Sequence, residues 1–221
     1  MLRELGFEVQ TAIRPSELRP ADLYVAWWWT WAFAPMAFAA ALRRPIIVTG
    51  VFDYWRYPSR ARLHRLLHRF ALRRADANVF ISQAEYRQVP AALRVRNPHY
   101  IPLAIDPGVY RPGSGPREDL ILTTANMALG NGVRKCIGEI IRAAPMVRQV
   151  CPTVRFVLAG EPDPRYLELA RAVGAADYVD FPGLVDRETK VGLMQRCRIY
   201  LQPTRFEGFG LAIAEAMACG A

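Results

Sequence analysis

The chain of 221 residues carries 29 Lys and Arg against 20 Asp and Glu, a formal charge of +9, with 52% hydrophobic and 22% charged residues. That composition excludes a disordered, highly charged chain and supplies enough apolar side chains for one large core or two small ones. Four scattered cysteines, Cys136, Cys151, Cys197 and Cys219, lack CxxC spacing and indicate neither a zinc site nor a disulfide framework.

In chain order, short apolar runs alternate with longer amphipathic stretches, which is the pattern of βαβ units and parallel sheets. The first half offers FEVQTAI, DLYVAW, PIIVTG, ANVFIS and HYIPLAI as strands. The spacing of Leu63, Leu66, Leu67 and Phe70 predicts a helix over 59–74 with those residues as its core stripe and an exposed basic face opposite. His64 and His68 share that helix without an acid beside them, so the basic face is preferred to a metal site. Leu23 to Leu42 is uncharged for twenty residues. It meets the length of a membrane span, but Pro35 and the strand pattern of Leu23–Trp28 favour a buried strand followed by an Ala-rich core helix. Trp27, Trp28, Trp29 and Trp31 fill a core or line an acceptor site at the strand's carboxyl end.

The segment DPGVYRPGSGPRED, from Asp106 to Asp119, reads as a linker. The alternation then restarts with LILTTAN, a helix over about 134–150, VRFVLAG, a helix over about 164–173, YVDFPG, a helix over about 187–197, and IYLQPT. Two α/β domains follow, 1–111 and 112–221. The charge is divided unevenly: residues 1–110 hold fifteen Arg and eight acids, whereas 111–221 hold fourteen Lys and Arg and twelve acids. Either this excess suits an anionic partner, a lipid surface or nucleic acid, or it is solvated charge without a function.

After IYLQPT a turn, Arg205–Gly210, leads into a helix beginning near Leu211. Ligands of open parallel sheets bind at the carboxyl ends of strands, and a helix amino terminus there offers N–H groups to phosphate. Glu207 and Glu215 flank this turn and make chemical sense as acceptors for hydroxyls, the groups of which sugars and riboses are made.

EGFGLAIAEAMACG resembles the two-glutamate motif of glycosyltransferase family 4, the retaining nucleotide-sugar enzymes of GT-B fold, which have two Rossmann-like doubly wound domains. KCIGEIIRAAPMV, VRFVLAGE, FPGLVD and IPLAIDPGVYRP resemble further landmarks of that family. The resemblance implies transfer of a sugar, of the hexose type, from a nucleotide-diphosphate donor to a hydroxyl of a glycan or lipid-linked acceptor. It implies that Glu207 contacts the donor sugar and that Glu215 accepts from the ribose hydroxyls. The backbone of Gly208, Phe209, Gly210 and Leu211 would line sugar and diphosphate, Lys135 with Arg134 would neutralise the leaving diphosphate, and the base would rest near Leu184 and Val185. Neither metal nor cofactor is implied. A cytoplasmic enzyme, peripheral on an anionic membrane through its basic first half, is the corresponding location.

Departures from the family pattern are specific. Ala125-Asn126-Met127 stands where an Arg is usual, Cys136 follows the Lys in place of Gly, and Gly50-Val51-Phe52-Asp53 lacks the usual His. Met1-LRELGFEV resembles the end of the family's first helix, and ACGA a point just before another strand, so both domains are expected to be incomplete and the chain inactive by itself. The alternatives are a non-catalytic remnant or polyanion-binding module, for which no nucleic-acid recognition motif is present, and an integral membrane protein through 23–42.

Overall fold

The computed structural model describes residue 3 and residues 5–221. It comprises two compact units, Met1–Leu103 and Ala104–Ala221.

Unit 1 carries β1 (Tyr24–Trp27), α1 (Phe33–Ala41), β2 (Ile46–Gly50), α2 (Arg62–Arg74), β3 (Ala77–Phe80), α3 (Gln83–Leu93) and β4 (Pro98–Tyr100). Its strands form one parallel sheet in the order β1-β2-β3-β4. Tyr24, Ala26, Ile46, Val48 and Phe80 pack with Met36 and Ala39 of α1, Ala71 and Leu72 of α2, and Val89 and Leu93 of α3 in a single cluster. Alternation along β1 turns Val25 and Trp27 to the opposite, solvent-exposed face. Trp29 anchors the core: it stacks on Phe80 with ring centroids 5.1 Å apart, and its Nε1–H donates to buried Asn78 at 2.7 Å.

Two expectations for this unit are corrected. FEVQTAI forms no strand; it is irregular, and Phe7 and Ile13 lie exposed with no sheet partner among the described residues. Within α2 the core stripe is inverted. Leu63, Leu66 and Phe70 are exposed and Leu67 is only half-buried, whereas His68, Ala71 and Leu72 are buried. The reason is chemical: His68 finds aromatic partners in Phe52 and Tyr57 at 5.2 and 5.9 Å, and its Nδ1–H donates to the His64 carbonyl at 2.8 Å. Residues 23–42 divide between β1 and the nine-residue α1. Among the described residues no helix is long and apolar enough to cross a membrane.

Unit 2 carries β5 (Glu118–Thr124), α4 (Leu129–Arg134), α5 (Ile137–Val150), β6 (Arg155–Ala159), α6 (Pro164–Ala172), β7 (Val179–Asp180), α7 (Arg187–Arg196), β8 (Cys197–Tyr200) and α8 (Leu211–Ala218). All four strands are parallel, in the order β7-β6-β5-β8. Strict alternation along the central strands divides the unit into three layers. Ile121, Phe156 and Leu158 pack under α5 and α6, while Leu120, Leu122, Val157 and Ala159 pack under α7 and α8. Each fully buried Phe or Leu contributes about 2 kcal/mol to such a core. Arg117 ties the second layer together by donating to the Cys197 carbonyl at 2.6 Å and the Cys219 carbonyl at 3.0 Å. The four cysteines are free thiols, and burial raises that of Cys197 to about 11.

The predicted helix over 134–150 is broken. Cys136 adopts a left-handed conformation, φ 56°, between α4 and α5. Glycine would sit there without strain, so the family's Lys-Gly pair has a backbone explanation and Cys136 accepts the cost. The expected linker ends early, because Glu118 and Asp119 already belong to β5.

Candidate active site

The strand order of unit 2 turns back at β5. Its successors β6 and β7 lie on one side, and β8 returns to the other. This reversal defines a crevice at the carboxyl ends of β5 and β8, the general ligand position of an open α/β sheet. Tyr200, at the end of β8, meets Thr124, at the end of β5: their hydroxyls are 2.9 Å apart. The Tyr200 hydroxyl also donates to Gln202 at 2.8 Å. Burial raises the Tyr200 pKa, with smaller upward contributions from the negative charges of Glu215 and Glu207. Gln202 links this phenol to the first motif glutamate, since its Nε2 donates to Glu207 Oε1 at 2.8 Å.

Glu207 lies in the loop that follows β8. Three donors converge on its Oε1: Lys135 Nζ in a close ion pair, Arg134 Nη1 at 3.3 Å and Gln202 Nε2 at 2.8 Å. The break at Cys136 permits this, since it turns the chain out of α4 where Lys135 sits. The loop is fastened to the same junction by backbone: Arg205 N–H donates to the Arg134 carbonyl at 2.9 Å, and Arg134 Nη1 donates to the Phe206 carbonyl at 2.6 Å. Thr204 adds a bond to that Phe206 carbonyl at 3.0 Å. No cationic side chain stands at Ala125-Asn126-Met127. Asn126 instead caps the start of the next turn, accepting from Ala128 N–H at 2.9 Å.

Glu215 lies in the second turn of α8 and is buried. Its Oε2 pairs with Lys190 of α7 at 2.9 Å. Burial acts to lower the Lys190 pKa, and the Tyr110 hydroxyl, the Glu215 hydrogen bond and its negative charge outweigh that, so the ammonium is held above its ordinary value. Gly210 caps α8 with φ 80°, and its carbonyl accepts from Ile213 N–H at 2.9 Å. Gly208 and Phe209 are half-buried, and Leu211 is exposed at the helix start.

The loop expected to receive a base follows β7. Gly160 N–H donates to the Gly183 carbonyl at 2.8 Å and holds this loop against the end of β6. Gly160 has φ 137°, and an added Cβ would lie 1.9 Å from the Ala125 carbonyl oxygen. Val185 turns inward onto the α7–α8 layer, while Leu184 is 79% exposed. No described contact joins Leu184 to Glu207 or Lys135. Lys190, Tyr200 and Gln202 are site residues that the sequence analysis did not single out. A signal for Lys190 was present: the chain has only two lysines, Lys135 and Lys190, and both pair with motif glutamates.

In unit 1 the loop after β2 is clasped by α3. Buried Glu85 accepts from Phe52 N–H at 3.0 Å and Asp53 N–H at 2.7 Å. Burial raises the Glu85 pKa, against the opposing effect of these bonds. Asp53 is left-handed, φ 55°, and stands 3.7 Å from Arg60.

Two units, each built on a parallel Rossmann-like sheet, match the architecture of glycosyltransferases of GT-B fold. Residues 118–221 match the family model for group 1 glycosyl transferases. Among curated relatives, the D-inositol 3-phosphate glycosyltransferase of Stackebrandtia nassauensis is 30% identical over 61% of this chain and 33% of its own length. A phosphatidylinositol N-acetylglucosaminyltransferase subunit from Arabidopsis thaliana is 29% identical over 54% of this chain and 27% of its own length. The chain thus spans a third or less of these two relatives. Among solved structures, Anabaena HepE in complex with UDP and glucose superposes with a TM-score of 0.72 at 19% identity, covering 90% of this chain and 57% of that one. Sucrose-phosphate synthase from Thermosynechococcus elongatus gives 0.71 at 20% identity, covering 90% and 54%.

Proposed function

We propose that unit 2 is the donor half of a retaining, hexosyltransferase-type enzyme that moves a sugar from a nucleotide diphosphate to a hydroxyl acceptor. The observation that carries this reading is the convergence of Lys135 and Arg134 on Glu207 at the β5–β8 reversal. A leaving diphosphate develops negative charge, and two preorganised cations beside helix N–H groups stabilise it without reorganisation. In this reading Lys135 and Arg134 take the role a divalent metal would otherwise fill, and no cofactor is required.

Glu207 accepts hydrogen bonds from donor-sugar hydroxyls, and its present cationic partners hold it in place. Glu215 receives the ribose hydroxyls while Lys190 balances its buried charge. The backbone from Gly208 to Leu211 passes close to sugar and diphosphate, and the base rests on Leu184 and Val185. UDP is the first nucleotide to test, because HepE is described with it. The acceptor is a glycan or a lipid-linked hydroxyl; the names of two relatives, which carry inositol, favour a polyol headgroup. Unit 1 supplies the acceptor side and contacts an anionic membrane, as a peripheral enzyme on the cytoplasmic face.

Calorimetric titration of the chain with UDP and UDP-sugars tests the donor half. Saturable binding that Glu215→Ala weakens supports the assignment, and an absence of binding for every nucleotide diphosphate removes it.

A further inference from the structure

The partners of Glu207 are unevenly placed. Lys135 Nζ, Arg134 Nη1 and Gln202 Nε2 all approach Oε1, and no described hydrogen bond or ion pair falls on Oε2. Among the described residues Arg60 Nε is the one buried side-chain polar atom without a partner, so Glu207 Oε2 reaches solvent. Of the three donors on Oε1, Gln202 is the directional one. An ammonium is a point charge with three rotatable N–H groups, and Arg134 Nη1 is shared with the Phe206 carbonyl at 2.6 Å. A planar amide donates only along its two fixed N–H directions.

Gln202 is itself fixed at both its backbone and its amide. On the stretch that leaves β8, Leu201 N–H donates to the Leu122 carbonyl at 2.8 Å, the Thr123 hydroxyl donates to the Leu201 carbonyl at 2.6 Å, and Thr204 N–H donates to the Gln202 carbonyl at 2.8 Å. Pro203 restricts the residue before it to extended conformations. In an extended chain residues two apart share a face, which sets Gln202 beside Tyr200. The Tyr200 hydroxyl has one proton and two acceptors within reach, Gln202 Oε1 at 2.8 Å and the Thr124 carbonyl at 3.4 Å. The shorter contact takes the proton, and the phenol oxygen then accepts from the Thr124 hydroxyl at 2.9 Å. Burial raises the Tyr200 pKa, which keeps that proton on the phenol. With the amide oxygen of Gln202 engaged by Tyr200, the amide nitrogen is the end that meets Glu207. A reversed amide would bring its oxygen within 2.8 Å of a carboxylate oxygen, two acceptors in contact.

We infer that Tyr200 and Gln202 are positioning residues for Glu207: the relay from Thr124 through Tyr200 to Gln202 fixes the carboxylate by Oε1 and presents Oε2 as the oxygen that receives a donor-sugar hydroxyl. The inference rests on the proposed sugar transfer and extends it to two residues outside the two-glutamate motif. Removing the phenol hydroxyl leaves both cations on Glu207 and takes away only direction, so the sugar should feel the change and the nucleotide should not.

Calorimetric titration of the whole chain with UDP, UDP-glucose and UDP-N-acetylglucosamine tests this in wild type, Tyr200→Phe and Gln202→Met. UDP affinity should stay within about twofold, whereas affinity for the sugar nucleotide that wild type binds should fall roughly fivefold in both variants. In a Glu207→Ala background Gln202→Met should add no further loss, because its effect passes through the carboxylate. A further loss of the same size there, or equal weakening of UDP and the sugar nucleotide, would overturn the positioning role. NMR relaxation of the Gln202 side-chain amide nitrogen needs no ligand and separates this inference from the donor reading. Its order parameter should lie near the rigid value of about 0.85 in wild type and drop below about 0.6 in Tyr200→Phe. An amide that is mobile in wild type, or that stays rigid without the phenol hydroxyl, contradicts the relay. A rigid, Tyr200-dependent amide in a chain that binds no nucleotide diphosphate would uphold the relay and remove the proposed function.

Discussion

Lys190 holds Glu215 at 2.9 Å, joining α7 to α8 beneath the crevice, and in a chain with only two lysines the other one holds the second motif glutamate. Arginine serves nearly every other cationic position. A lysine presents a compact point charge that leaves the remaining carboxylate lone pairs free, whereas a guanidinium fork tends to occupy both oxygens. Lysine at these two positions therefore pairs with each glutamate while leaving it lone pairs for a further hydrogen bond.

Removing Lys190 should expose the cost of the buried carboxylate. Lys190→Met leaves Glu215 without its cation, and we expect unit 2 to lose about 2 kcal/mol, less than a fully buried pair because the lysine is partly solvated. Glu215→Gln combined with Lys190→Met should recover part of that loss. Urea unfolding of the four members of the cycle measures it; additive effects would show that the two side chains do not couple.

The two glutamates should separate by role. If the proposed function holds, Lys135→Ala and Glu207→Ala are expected to lower kcat by about 100-fold or more, because that reading puts both where charge develops on the departing diphosphate and the opening sugar. Glu215→Ala should act mainly through donor KM. Lys135→Ala leaves Arg134 and Gln202 on Glu207, so the loop should keep its place. Initial rates against donor concentration distinguish these outcomes, and identical kinetic profiles for the three variants would contradict the division.

Gly160 supports the loop after β7 through geometry alone. Gly160→Ala drives a Cβ into the Ala125 carbonyl and demands a side chain at φ 137°, so unit 2 should lose at least about 2 kcal/mol. Because the Gly160 N–H holds the Gly183 carbonyl, nucleotide affinity should fall as well. Gly174→Ala, at φ 70° in open space, is the control: it should cost less and leave nucleotide affinity unchanged. Thermal unfolding and nucleotide titration of the two variants make the comparison.

Strand runs such as PIIVTG and VRFVLAG were legible because a buried parallel strand must be apolar on both faces, a local property. So was the motif turn, where Glu207, Gly208, Gly210 and Glu215 sit within nine residues. The partners of those glutamates were less legible. Lys190 reaches Glu215 from α7 across 25 residues of sequence, and Tyr200 meets Thr124 only because β8 pairs with β5, contacts that no local pattern encodes. α2 was misread for a different reason. Its apolar spacing is regular, but periodicity reports that a helix has two faces and does not say which one meets the core. His68 decided that, through the Phe52 and Tyr57 rings, which follow β2 in a separate loop.

That buried imidazole gives unit 1 a pH dependence with a defined sign. Burial lowers the His68 pKa, and the charges of Arg60 and His64 add to the effect, although the His64 carbonyl opposes it. The unfolded chain, with histidine near its ordinary value of about 6.5, therefore binds a proton before the folded one does. Stability from this group is fully present above about pH 6.5 and is lost as pH falls toward the lowered folded value. His68→Phe keeps an aromatic ring in the site and cannot charge, so it should flatten this part of the profile while changing stability little at pH 8. Chemical unfolding at pH 5.5 and pH 8 checks the pair. An equal loss on acidification in wild type and variant would place the sensitive group elsewhere.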